Sequence, residues 1–190
     1  MKIKIKSKSF GKLSPCIICK KIKFQNWAKL DSFQSKKCLS CGMISVNPIP
    51  SQKILDNYYN GYLIENKKDQ KLWEQRKMTY KIDRDWISKF ITHGKILDVG
   101  CSGGQFLNYF NKNNWKKFGV EVDPSAANYA KKKYGINVQI GNLVDLEFKQ
   151  KFDLIVFRGV IEHFSNPISI LKKSCSLLKH GGYLFITATP

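Results

Sequence analysis

Acidic residues are scarce in this chain: 14 Asp and Glu stand against 33 Lys and Arg, for a formal net charge of +19 at neutral pH. No run of roughly 18 apolar residues occurs, so no membrane span is expected. The opening residues, MKIKIKSKSFGKLSP, carry the charges of a secretory leader but lack its apolar stretch and small-residue cleavage site. The reading is a cytoplasmic protein. No internal repeat or low-complexity tract is evident. What the chain does have, 43% hydrophobic and 13% aromatic residues over 190 positions, suffices for one ordinary domain plus a small appendage. The basic excess admits a nucleic-acid partner, because lysines neutralise phosphates. Against it, the lysines are dispersed, and no Arg-rich or aromatic-interleaved basic stripe stands out. An anionic small substrate such as a nucleotide-linked sugar suits the same field.

Six cysteines fall at 16, 19, 38, 41, 101 and 175. Four form two C-x-x-C pairs, Cys16/Cys19 and Cys38/Cys41, separated by 18 residues. In a reducing compartment that pattern reads as metal ligation and not as disulfides. Each two-residue gap lets both thiolates face one ion, and Gly42 permits a tight turn beneath the second pair. Four thiolates complete a closed tetrahedral shell, so the expectation is a structural zinc with no open catalytic position. The alternative is four reduced thiols in a degenerate knuckle.

Three segments organise the chain: a zinc-binding module over 1–48, a helical connecting segment over 49–93 and an alternating α/β half over 94–190. In the middle segment Ser51 caps a helix carrying Ile54, Leu55, Tyr58 and Tyr59. Asn60-Gly61 breaks the chain, and a longer helix then runs to His93-Gly94. In the last segment the spacing predicts strands over 95–99, 117–122, 136–140, 152–157 and 183–188. Helices are expected over 105–111, 124–134 and 167–178. Apolar strands alternating with helices imply a doubly wound, Rossmann-like parallel sheet.

A buried strand, Ile96-Leu97-Asp98-Val99, runs into Gly100-Cys101-Ser102-Gly103-Gly104 and then a helix. This is the geometry by which backbone approaches a nucleotide cofactor. A pyrophosphate-binding G-x-G-x-x-G would need glycine at Gln105, and a Walker loop would need G-K-[ST]; both are absent. The segment resembles motif I of class I S-adenosylmethionine-dependent methyltransferases, with Asp98, Gly100, Ser102 and Gly104 in the matching places. Ser102 replaces the usual second glycine. The resemblance implies a loop around the methionine portion of S-adenosylmethionine, with Asp98 interacting through the ammonium group. In Phe118–Asp123 order, F-G-V-E-V-D resembles the second-strand motif. It implies that Glu121, 23 residues after Asp98, accepts from the ribose hydroxyls, while Asp123 caps the next helix. Ile140-Gly141-Asn142-Leu143-Val144-Asp145 resembles the loop that meets adenine, through Asn142 or Asp145. The stretch from Phe152 to His163 resembles the fourth strand and its V-L-E-H loop; Arg158, at that strand's end, joins the cofactor-side candidates. Leu178-Lys179-His180-Gly181-Gly182 resembles L-K-P-G-G.

The [DN]-P-P-[YF] of base-amino methyltransferases is missing; Phe157-Arg158-Gly159-Val160 stands there. That turns the expectation toward carbon or oxygen acceptors, which need a base. His163 sits where the crevice at the strand ends opens, with Glu162 to orient it; the alternative is a structural histidine bonded to backbone. The amino-terminal half, with Cys38-x-x-Cys41-Gly42, then Asn47-Pro48, Leu55, Tyr58-Tyr59 and Tyr62, resembles zinc-bearing bacterial methyltransferases. That group includes sugar C-methyltransferases, which implies a sugar-like substrate. In them a tyrosine-histidine pair is implicated in proton removal; Tyr58, Tyr59 and Tyr62 are contact candidates, at least one of them a packing residue. Class I sheets have seven strands and this chain stops after the fifth. A truncated chain of weak activity is therefore expected, unless a second copy or a missing segment covers strand five. Two alternatives stand beside the leading reading: an RNA methyltransferase gripping its substrate with the basic zinc module, and an inactive remnant that still binds cofactor.

Overall fold

The computed structural model describes residues 12–30, 33–51, 54 and 70–188. Leu55, Tyr58, Tyr59 and Tyr62, with most of the helix expected after Ser51, lie outside the described residues. The chain divides into two compact units, Met1–Tyr58 with His163–Ile168, and Tyr59–Glu162 with Ser169–Pro190.

The first unit contains three antiparallel strands in the order β1 (Phe24–Leu30), β2 (Phe33–Cys38) and β3 (Ile44–Val46). A β-bulge between Asn26 and Ala28 leaves Trp27 unpaired. The segment before β1 is tied to the end of β3 by Asn47, which is buried. Its Oδ1 accepts from the Ser14 amide at 3.0 Å, and its Nδ2 donates to the Ser14 carbonyl at 2.8 Å.

The second unit begins with α1 (Gln70–Ile87) and then builds a five-stranded parallel sheet. Its strands are β4 (Gly94–Val99), β5 (Trp115–Glu121), β6 (Asn137–Ile140), β7 (Phe152–Arg158) and β8 (Leu178–Thr187). Their order across the sheet is β6-β5-β4-β7-β8, with α2 (Pro124–Tyr134) joining β5 to β6 and α3 (Pro167–Leu177) preceding β8. The expected Rossmann-like α/β class is present.

Both faces of the central strands are buried: Ile96, Leu97, Val99, Leu154, Ile155, Val156 and Phe157 are each exposed by 1% or less. That explains their near-continuous apolar runs, since alternation marks only sheets with one wet face. On one face Ile96, Leu154, Val156 and Val138 meet Ile87 of α1 and Ala127 and Ala130 of α2 in a single cluster. An edge-to-face aromatic series links α1 to the chain after β4: Tyr80–Phe106 at 5.7 Å, Phe106–Phe110 at 5.3 Å and Phe110–Trp115 at 5.3 Å. Each such pair contributes about 1 kcal/mol beyond its buried area.

Three element boundaries differ from expectation. The long helix ends at Ile87, not at His93; the Phe90 and Ile91 amides return to the Ile87 carbonyl in a closing turn. The helix expected over 105–111 is a single 3-10 turn, Leu107–Tyr109, because the chain must reverse within a few residues to enter β5 at Trp115. Strand β8 begins at Leu178, five residues early. A register shift between Phe152 and Leu154 absorbs Lys179 to Gly182 as an irregularity in the ladder. Lys179 is anchored there by Asp153, whose Oδ1 accepts from its ammonium at 2.7 Å while Oδ2 accepts from the Lys95 amide at 2.8 Å.

Candidate cofactor site and cysteine centre

Parallel pairing puts the carboxyl ends of β4, β5, β6 and β7 on one edge, and the pairs Val99↔Val120, Asp98↔Val156 and Glu121↔Ile140 fix their relative heights. Asp98, Glu121, Asn142 and Arg158 therefore fall at neighbouring strand tips. The loop leaving β4 is bent by left-handed residues: Gly100 at φ 74°, Ser102 at 49° and Gly104 at 76°. At Gly104 a Cβ would lie 2.6 Å from Ile136 Cδ1 and 2.9 Å from Ala130 Cβ, so only glycine permits this approach of the loop to α2. Ser102 adopts the same strained region with a side chain. Its amide is held in place by Glu121, whose Oε2 accepts it at 2.7 Å.

The other Glu121 oxygen, Oε1, accepts from the Val122 and Asp123 amides at 2.8 and 2.9 Å. Three of roughly four acceptor sites on this carboxylate are thus taken by backbone. One further hydroxyl can bond without disturbing the loop; a second would have to displace an amide. Asp123 is the α2 cap, its Oδ1 accepting from the Ser125 amide at 2.8 Å.

Asp98 is 3% exposed and, among the described residues, receives no hydrogen bond. Burial pushes its carboxyl up to about 7; the Arg158 guanidinium opposes that rise and the Glu121 carboxylate adds to it. Glu121 is raised as well, first by burial, against the backbone amides that it accepts. Two buried carboxylates with a deficit of positive charge form a cation site and repel a pyrophosphate. Gln105 adds a second such group: its side chain is buried and, among the described residues, Nε2 has no hydrogen-bond partner.

Arg158 does not stand open at its strand end. Its Nε donates to Asp83 Oδ2 at 2.8 Å, and its guanidinium carbon lies 4.4 Å from the Tyr80 ring centre and 4.6 Å from that of Phe106. Tyr80 and Asp83 are three residues apart on one face of α1. Asn142 caps the 3-10 turn Leu143–Asp145, its Oδ1 accepting from the Val144 amide at 3.4 Å, and Asp145 is exposed at the end of the same turn. Glu162 and His163 are exposed on the 3-10 turn Ile161–His163 that follows β7.

In the first unit the four paired cysteines converge. Their sulfurs all lie within 4.8 Å of one another, with Cys16–Cys41 and Cys19–Cys38 at 3.5 Å. A tetrahedron of thiolates about 2.3 Å from zinc has edges of about 3.8 Å, so the cluster is the size that the ion requires. The two knuckles match in backbone. Lys20 donates to the Cys16 carbonyl and Gly42 to the Cys38 carbonyl, both at 2.9 Å, and both residues are left-handed, at φ 64° and 77°. Inward-turned amides favour thiolate: those of Cys19 and Ile18 draw Cys16 down against its burial. Cys38 falls to about 6; burial raises it, and the Ser40 and Cys41 amides outweigh that rise.

A family model described as a methyltransferase domain matches residues 72–189, more than half the chain. The chain belongs to that family. Its second unit is a class I S-adenosylmethionine-dependent methyltransferase domain. Among curated relatives, the uncharacterized protein MJ1123 of Methanocaldococcus jannaschii is 29% identical over 134 residues, 70% of this chain and 60% of that protein. The ubiquinone biosynthesis O-methyltransferase of Histophilus somni is 30% identical over 108 residues, 51% of this chain and 45% of that enzyme. The chain thus spans about half the length of the curated relatives that it matches. Among solved structures, a possible histamine N-methyltransferase from Thermotoga maritima superposes with a TM-score of 0.57 at 22% identity, covering 70% of this chain and 60% of that one. The plantazolicin methyltransferase BpumL, solved with SAH, gives 0.55 at 20%, covering 70% and 59%. At these identities the two structures share the fold with this methyltransferase domain. Sequence reasoning did not single out Asp83 and Tyr80, the partners of Arg158. They look like ordinary members of a charged helix, and only the pairing of α1 with the β7 tip reveals them.

Proposed function

We propose that the chain binds S-adenosylmethionine at the tips of β4 and β5, and that it serves methyl transfer to a carbon or oxygen of a small, sugar-like acceptor. The observation that carries this reading is Asp98: a buried carboxylate that accepts no hydrogen bond from the described residues, beside a second buried carboxylate, at the mouth of a glycine-bent loop. An α-ammonium supplies the donors and the charge that this carboxyl lacks. The free Glu121 acceptor site suits one ribose hydroxyl, and the exposed Asp145 suits the adenine amine better than Asn142, whose oxygen is engaged as a cap. The Gln105 amide offers a further donor beneath the loop. When bound, the cofactor supplies a sulfonium methyl as electrophile. The protein's share is to hold that group in line with the acceptor and to take the acceptor's proton.

His163 is the base in this proposal and Glu162 its orienting neighbour. Their support is position, on the first turn after β7. Arg158 acts from the second rank, holding α1 over the strand tips through Asp83. The four-cysteine cluster holds a structural zinc, the fit resting on sulfur spacing and matched knuckles. The segment division at 48 and 93 rests on cysteine placement and periodicity, and the sugar class of acceptor on the sequence resemblance. Methyl transfer from labelled S-adenosylmethionine to nucleotide-linked sugars tests the whole. His163→Ala is expected to lower turnover by about a hundredfold. Unchanged methylation would remove His163 from the mechanism.

A further inference from the structure

The first unit is short of negative charge to an unusual degree. Residues 12–51 hold seven lysines against a single carboxylate, Asp31. A zinc ion with four thiolates would add a charge of about −2, leaving the unit strongly positive. In the sequence those lysines look scattered; the hairpin gathers them. Lys29 lies on β1 and Lys36 and Lys37 on β2, with Gln25 paired to Lys37 and Asn26 to Lys36. Lys36 donates to Asn26 Oδ1 at 2.7 Å, which fixes its ammonium against the ribbon.

At the centre of this basic ribbon sits an indole with no core to fill. Trp27 is the residue pushed out by the β-bulge and is 55% exposed, and Lys37 Nζ lies 5.1 Å from its ring centre. A structural tryptophan buries its ring, and burial is the main return on so large a side chain. This one presents a π-face to solvent, with the Lys37 ammonium beside it. From Lys23, just before β1, to Lys29 the ribbon spans about 20 Å at strand rise. A π-platform flanked by cations along an extended strand is the arrangement that takes a flexible polyanion whose units are themselves aromatic.

We infer that the β1–β2 ribbon of the cysteine-bearing unit is a binding surface for single-stranded nucleic acid, with a base stacked on Trp27 and phosphates neutralised by Lys29, Lys36 and Lys37. A duplex hides its base faces and cannot use the indole. A sulfated or carboxylated polysaccharide satisfies the lysines but gains no stacking from a base. This surface is independent of the cofactor site, so its failure would leave the methyl-transfer reading intact.

The test is fluorescence anisotropy of the full, zinc-loaded chain with a labelled oligouridylate of about 15 nucleotides, at about 50 and 200 mM salt. The expected result is saturable binding that weakens with salt. Trp27→Ala should weaken it roughly tenfold and Trp27→Phe far less, with zinc content and circular dichroism unchanged. Replacing Lys29, Lys36 and Lys37 together by Gln should reduce the salt slope by about two. No binding at the lower salt would overturn the inference. So would a Trp27→Ala chain that binds like wild type, a duplex that binds as tightly as the single strand, or heparin binding that matches the oligonucleotide.

Discussion

At the tip of β4 the Asp98 carboxyl meets no donor among the described residues, and burial pushes it up to about 7. An unfolded aspartate titrates near ~3.9, so between those values the folded state binds the extra proton. The contribution of this group to stability is therefore greatest below about pH 4 and is lost as pH rises through 7, where a buried charge is left. Asp98→Asn is expected to raise the melting temperature of the free chain at about pH 8 and to change it little at about pH 4. The same change should weaken binding of S-adenosylhomocysteine by tenfold or more. Thermal melts at both pH values check the first claim and calorimetry the second. Arg158 offers a second residue-scale test. Asp83→Asn leaves a largely buried guanidinium without its counter-ion and is expected to cost about 2 kcal/mol in denaturant unfolding, discounted for the 16–18% exposure of the pair. Asp98 and Glu121 were legible as carboxylates at strand ends, because a short apolar run fixes where a strand stops. Their hydrogen-bond state was not. Whether an amide or a ligand fills each acceptor site depends on where the next loop folds back.

At the scale of elements, α2 was readable end to end because it is punctuated: Asp123 caps it, Pro124 stands at its first turn, and Gly135 at φ 65° ends it. The close of α1 carries no such mark. Phe90 and Ile91 continue the apolar pattern, and Ile91 still packs on the core, from a turn and not from a helix. The hairpin β1–β2 was illegible for the opposite reason. Every residue of β1 from Gln25 to Lys29 is exposed, so neither face imposes the alternation that marks a strand. Such a sheet has little core of its own, and the cysteine centre must supply much of its stability. Chelation of zinc is accordingly expected to abolish amide-exchange protection in β1–β3 and to leave β4, β5 and β7 protected. Retained protection in β2 after complete zinc loss would show that the strands stand without the ion.

For the whole molecule, the two units differ in what holds them. One rests on a four-thiol cluster under an exposed basic ribbon, the other on a five-stranded sheet buried on both faces, with two carboxylates at its open edge. No helix among the described residues is long and apolar enough to cross a membrane. The parallel class followed from apolar runs alternating with helices, since that pattern admits few topologies. The charge pattern of the first unit did not follow, because pairing and not sequence neighbours brings its lysines together. In the proposed site Asp98 and Glu121 together hold the α-ammonium and the ribose of the cofactor. Calorimetry with S-adenosylhomocysteine at about pH 6 and about pH 8, in buffers of different ionisation heat, tests it most directly. Tighter binding at the higher pH, proton release near neutrality, and loss of binding in Asp98→Ala and Glu121→Ala are expected. Affinity independent of pH and retained in both variants would contradict it.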